Sequence, residues 1–106
     1  MEQVRIGVIG VGQIGKGHLR QYAEISGAQI VALADINEPE LRRVGEEFHV
    51  SKVHADFRQL LGRDDVDAVD VCLHNNLHAP VTIAALRAGK NVYCEKPMAG
   101  SYVDAK

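Results

Sequence analysis

Short apolar runs alternate along this chain with longer stretches in which apolar residues recur at helical spacing. Arg5-Ile-Gly-Val-Ile9 is a short β-branched run leading straight into glycines, which predicts a buried strand meeting a turn. From Ile14 the apolar positions Ile14, Leu19, Tyr22 and Ile25 predict a helix stopped by Gly27. Ile30-Val-Ala-Leu-Ala34 predicts a second strand ending at Asp35. Asn37 and Glu40 have capping-box spacing with Pro39 in the first turn, and Leu41, Val44 and Phe48 continue as a helical stripe.

The next elements are shorter. Val53-His54 reads as a minimal strand, and Asp56 as the cap of a short helix, Phe57 to Leu61, closed by Gly62. Ala68-Val-Asp-Val-Cys-Leu73 predicts a fourth strand. Asn76 then caps a helix through Ala88, with Pro80 near its first turn and Gly89 past its end, and Asn91 to Cys94 forms a fifth strand. Strands alternating with helices imply right-handed crossovers and a parallel sheet covered on both faces, a doubly wound α/β fold of Rossmann type.

The glycines between the first strand and first helix carry the chemistry. Gly10-Val11-Gly12-Gln13-Ile14-Gly15 matches GxGxxG in the strand-to-helix context that gives the motif meaning. Gly10 can form the tight turn, Gly12 removes a Cβ that would block a pyrophosphate, and Gly15 lets helix and strand approach closely. The amides of the helix start then face the anion. Taken alone, the glycines are equally consistent with a bare tight turn. Asp35 lies 20 residues after Gly15 at the end of the second strand, where a carboxylate accepts hydrogen bonds from ribose hydroxyls. Its charge repels a 2′-phosphate, so NAD is the expected cofactor, ahead of NADP.

Glu95-Lys96-Pro97 follows the fifth strand, at the carboxyl edge where open α/β sheets bind ligands. A lysine there can donate to a substrate hydroxyl and, if desolvated, exchange its proton during hydroxyl–carbonyl conversion; a surface pair with Glu95 is the plainer reading. His74 and His78 are four residues apart, but Asn76 as helix cap leaves His74 outside the helix and no third ligand is evident, so no metal is expected. His18, His49 and His54 read as solvated or packing residues, and Gly17 as a packing position.

Composition narrows the function classes. The 106 residues carry a formal net charge of −2 with interspersed signs, which excludes a basic stripe for nucleic acid or a polybasic membrane patch. No run reaches the roughly 18 apolar residues of a membrane span, and Met1-Glu2-Gln3 lacks a signal-peptide start, so a cytoplasmic location is expected. Cys72 and Cys94 belong to no CxxC motif and read as buried free thiols.

GxGxxG with Asp35, then Asn75 and His78, Ala88-Gly89-Lys90-Asn91-Val92 and Glu95-Lys96-Pro97, together resemble the glucose-fructose oxidoreductase, inositol dehydrogenase and MocA family over essentially the whole chain. The resemblance implies a two-domain oxidoreductase moving hydride between a nicotinamide cofactor and a sugar, inositol or related polyol. It implies a catalytic Lys96 that touches cofactor and substrate and assists proton transfer, Glu95 on the nicotinamide side, and Leu73, Asn75 and His78 on a loop passing the cofactor. The expected cofactor set is thus Gly10, Gly12, Gln13, Ile14, Gly15, Asp35, Ile36, Leu73, Asn75, His78, Glu95 and Lys96. Where the family commonly has Thr-Pro or Leu-Pro, this chain has Leu73-His74.

Family members are longer, with a carboxyl-terminal substrate domain that supplies Asp and His partners for the lysine and through which they commonly oligomerise. Residues 1–106 are therefore expected to be the dinucleotide-binding domain, incomplete at its end inside a next helix, inactive alone, and part of a homo-oligomer in the full-length protein. A non-catalytic NAD-sensing module would keep the glycines and Asp35 without needing Lys96, whereas a member using NAD transiently for elimination or glycoside cleavage would keep every one of these residues.

Overall fold

The computed structural model describes residues 4–73, 75–95 and 100–103. Its elements are β1 (Val4–Ile9), α1 (Gln13–Ala23), β2 (Ala28–Ala34), α2 (Glu38–Glu47), β3 (Val53–His54), α3 (Phe57–Leu61), β4 (Ala68–Val71), α4 (Asn75–Arg87), β5 (Asn91–Glu95) and β6 (Gly100–Val103). The strands form one sheet in the order β3-β2-β1-β4-β5-β6. β1 to β5 pair in parallel, and β6 pairs antiparallel with β5, Tyr93 opposite Tyr102.

The continuous apolar runs have two sets of neighbours because both sheet faces are covered. Ile6, Val8, Leu33 and Cys72 pack in one cluster with Leu19 of α1 and Leu41 and Val44 of α2. Ile9, Ala32, Ala34, Val69, Val71 and Val92 pack in the other with Leu60 and Leu61 of α3 and Val81 and Ala85 of α4. Alternation along β4 therefore sends Val69 and Val71 to one face and Asp70 and Cys72 to the face under α1.

Two expectations are corrected, and one strand is additional. Residues 100–103 form an antiparallel strand whose backbone groups pair with the open edge of β5; the next helix expected at Lys106 lies outside the described residues. α4 starts at Asn75, so Asn76 is inside the helix rather than its cap. The buried face of α1 is Gly15, His18 and Leu19, whereas Ile14 and Ile25 are 46% and 51% exposed. The helix is rotated toward its smallest residue because that lets it lie close to the sheet.

Two helices end in the same hydrogen-bond pattern with different residues. After α4, Gly89 has φ +81° while its N–H reaches the Leu86 carbonyl and Lys90 N–H reaches Ala85. After α2, His49 holds the equivalent position at φ +60°, its N–H on Glu46 and Val50 N–H on Gly45. A left-handed conformation costs a Cβ-bearing residue about 1–2 kcal/mol. His49→Gly is therefore expected to stabilise the chain by about 1 kcal/mol, raising Tm by about 4–8 °C. Thermal unfolding followed by circular dichroism checks this, and an unchanged or lowered Tm contradicts it.

Candidate functional site

Strand register brings the chemistry to one edge. Ile9 stands opposite Ala34 on one side and Val71 on the other, and Val71 opposite Cys94. The residues that follow, Gly10, Asp35 and Cys72, thus leave the sheet at the same level, and Glu95, the last residue of β5, lies level with them. Chain direction in the crossovers reverses between β1 and β4, so a crevice opens above their carboxyl ends. It is a cleft of about 680 Å³ lined by residues including Gly10, Gly12, Asp35, Ile36, Cys72 and Leu73.

The three glycines meet different demands. Gly10 has φ +97°, and a Cβ there would lie 2.5 Å from the Cys72 carbonyl oxygen. A Cβ on Gly15 would lie 2.0 Å from the Gly10 carbonyl oxygen, so helix and turn touch backbone to backbone. Gly12 has an ordinary φ of −73°, and a Cβ there would meet nothing within 4 Å. The protein's own packing gives no reason for glycine at position 12; the open space in front of it does. Gly17 likewise has no neighbour within 4 Å for a Cβ, which corrects its assignment to packing.

The first bond of α1 runs from Lys16 N–H to the Gly12 carbonyl, leaving the amides of Gln13, Ile14 and Gly15 ahead of the helix ladder. No acidic residue occupies that first turn and no side chain caps it. The positive end of the helix dipole is left available for an anion.

Asp35 belongs to the turn as well as to the cleft. Its Oδ2 accepts from Val11 N–H at 2.8 Å and its Oδ1 from Asn37 N–H at 2.9 Å. The carboxylate is therefore oriented by backbone donors on both sides, with lone pairs remaining for ribose hydroxyls. The expected capping box is half formed as a result. Asn37 Oδ1 accepts from Glu40 N–H at 3.3 Å, but the Asn37 N–H is engaged by Asp35. Glu40 instead pairs with Lys16 of α1 and with Arg43, cations that hold its carboxyl below the usual carboxylate range. The ion pair with Lys16 ties the glycine-turn helix to α2.

Of the remaining expected residues, Ile36 is 85% exposed beside Asp35, and Gln13 and Ile14 are exposed at the start of α1. Leu73 lines the cleft, Asn75 and His78 lie in the first turn of α4, and Glu95 ends β5. Lys96 and His74 fall outside the described residues. Lys90, from the Ala88-to-Val92 run, donates to the Arg63 and Val66 carbonyls at 2.6 and 2.8 Å and fastens the loop before β4.

Sequence reasoning missed one buried cluster. Asp70, fully buried, accepts from Tyr22 Oη at 2.7 Å and from Cys72 Sγ at 3.3 Å, and its Oδ2 lies 2.6 Å from His18 Nδ1. His18, read as solvated or packing, is buried there. The signal was a carboxylate inside a strand whose other residues are apolar, which requires donors from the helix above it. Cys72 is a buried thiol that donates to Asp70, in keeping with the buried position its sequence context implies.

Together these features define a dinucleotide-binding domain of the Rossmann class: a crevice at the point where strand order reverses, a glycine turn feeding a helix N-terminus, and an oriented acid at the next strand end. Residues 4–106 match the oxidoreductase family GFO_IDH_MocA, NAD-binding Rossmann fold, and the chain belongs to that family. It is 43% identical over 98 residues to an inositol 2-dehydrogenase/D-chiro-inositol 3-dehydrogenase of Shouchella clausii, covering 91% of this chain and 28% of the relative. It is 40% identical over 101 residues to a myo-inositol 2-dehydrogenase of Thermotoga maritima, covering 95% and 30%. Among solved structures, scyllo-inositol dehydrogenase of Lactobacillus casei with bound NAD(H) and scyllo-inositol superposes with a TM-score of 0.85 at 32% identity, covering 92% of this chain and 29% of that one. The chain thus spans less than a third of the length of these relatives. Among the described residues no helix is long and apolar enough to cross a membrane.

Proposed function

We propose that this chain is the NAD-binding part of a dehydrogenase that oxidises inositol or a related polyol or sugar, or reduces the corresponding ketone. The observation that carries the cofactor assignment is Gly12, where the absence of a side chain serves open cleft rather than packing. When bound, NAD supplies the hydride acceptor. Gly10, Gly12 and Gly15 shape the turn, the amides at Gln13 and Ile14 face the pyrophosphate, and Asp35 and Ile36 take the adenosine end.

Leu73, Asn75, His78 and Glu95, at the β4 and β5 ends, are assigned to the nicotinamide side, and Lys96 to proton exchange with the substrate hydroxyl. Three inositol dehydrogenases among its relatives support the polyol class. The reading extends to residues 1–106 as one domain of a longer, homo-oligomeric polypeptide, inactive without a substrate domain that positions the alcohol. It includes a cytoplasmic setting, where a buried thiol such as Cys72 stays reduced.

The test is inositol-dependent NADH formation by the gene product that carries this sequence, with Lys96→Ala beside it. The expected result is turnover with at least one inositol or sugar, falling about 10²- to 10⁴-fold in the variant while NADH affinity is retained. Turnover unaffected by Lys96→Ala would remove the lysine's role, and no oxidation of any polyol would sink the substrate class.

A further inference from the structure

Beneath the glycine turn, with Cys72 shared with the cleft wall, His18, Asp70 and Cys72 bring three different ligand atoms close together. All lie within 4.8 Å of one another, and all three residues are buried. We propose that this cluster is a binding site for a thiophilic divalent cation of the zinc class.

Geometry is the first support. Imidazole nitrogen, carboxylate oxygen and thiolate around a tetrahedral Zn²⁺ lie about 3.4–3.6 Å apart, given metal–ligand bonds of about 2.0–2.3 Å. Cys72 Sγ stands 3.3 Å from both His18 Nδ1 and Asp70 Oδ1, close to that spacing already. The 2.6 Å contact of His18 Nδ1 is to the other carboxylate oxygen, Oδ2, so ligation through Oδ1 exchanges that contact for the metal by side-chain rotation and leaves Oδ2 on Tyr22 Oη. Tyr22 Oη on Asp70 supplies the outer hydrogen bond that orients a ligating carboxylate.

Charge is the second. Asp70 is fully buried, where a carboxylate calls for compensating charge or donors. Ligation by His18 Nδ1 uses the tautomer with its proton on Nε2, and the Cys72 thiol releases its proton to solvent. The two anionic ligands then match one divalent ion, so the buried site becomes neutral. Cys72 also lines the cleft, which gives the ion a way in.

The test is titration of the reduced 106-residue chain with Co²⁺ alone, followed by Zn²⁺ displacement, with pH-indicator detection of the proton released. The expected result is a thiolate-to-cobalt charge-transfer band with visible bands of four-coordinate Co²⁺ (three protein ligands and one water admitted from the cleft), abolished by Zn²⁺ and accompanied by proton release. Cys72→Ser, nearly isosteric, should lose the charge-transfer band and weaken Zn²⁺ binding about 100-fold; His18→Gln should weaken it about tenfold or more. Cys94→Ser should keep the band. Circular dichroism confirms that each variant is folded, and Cys72→Ala replaces the serine variant if that one is not. Absence of the band in the unaltered chain, its survival in a folded Cys72 variant, or its loss in Cys94→Ser would each overturn the site.

Discussion

Gly12→Ala and Gly15→Ala are expected to fail in opposite ways. At Gly15 the helix-propensity gain of about 1 kcal/mol from alanine is outweighed, because its Cβ would stand 2.0 Å from the backbone oxygen of Gly10. Neither α1 nor the turn can yield without leaving the sheet. The expected loss is about 3 kcal/mol or more, a fall of about 12–24 °C in Tm, with NADH binding lost as a consequence. Gly12→Ala meets no protein atom and has a permitted φ, so stability should stay within about 1 kcal/mol of the parent. Its methyl group intrudes where the pyrophosphate approaches, so the NADH dissociation constant should rise about ten- to hundredfold. Thermal melts with NADH fluorescence titrations separate the two. A Gly12→Ala variant that binds NADH normally would end the assignment of the cleft.

Asp35→Ala should cost both affinity and stability. Its carboxylate is the acceptor for Val11 N–H, and Val11 is wholly buried, so truncation leaves a donor without its partner, worth about 1–3 kcal/mol. The ribose loses its acceptor in the same step, and NADH should bind about a hundredfold more weakly. The NADPH-to-NADH affinity ratio should rise, since the charge that repels the 2′-phosphate is gone. Titrating both cofactors against the parent chain and the variant checks this. Equal or tighter NADPH binding by the parent would reverse the cofactor preference.

The sheet was legible because its strands are buried on both faces, which leaves uninterrupted runs such as Ile30 to Ala34 that resemble little else. The short helix Phe57–Leu61 was equally readable: Asp56 caps it through Arg58 N–H at 2.9 Å and Gly62 ends it. Periodicity misled in α1, where the residues nearest the sheet are a glycine and a histidine, and hydropathy gives neither weight as core. His49 escaped notice because its left-handed backbone is imposed by the hydrogen bonds of the helix end, not by its side chain. β6 went unassigned because pairing along the β5 edge is a property of two strands together. Within the site, spacing picked out Asp35 and the glycines, but not that Asp35 holds the turn, since a backbone donor leaves no mark in the side-chain pattern.

β1 lies at the centre of the sheet, yet its two neighbours come from different distances along the chain: Ile9 pairs with Ala34 and also with Val71. The cleft floor is complete only when the second, distant pairing has closed, because the Cys72 backbone abuts Gly10. Closing a loop of that length sets a slower clock than forming any of the helices. Cofactor competence is therefore expected to arise with the β1–β4 pairing, so that NADH fluorescence during refolding would report assembly of the sheet rather than of the glycine turn alone.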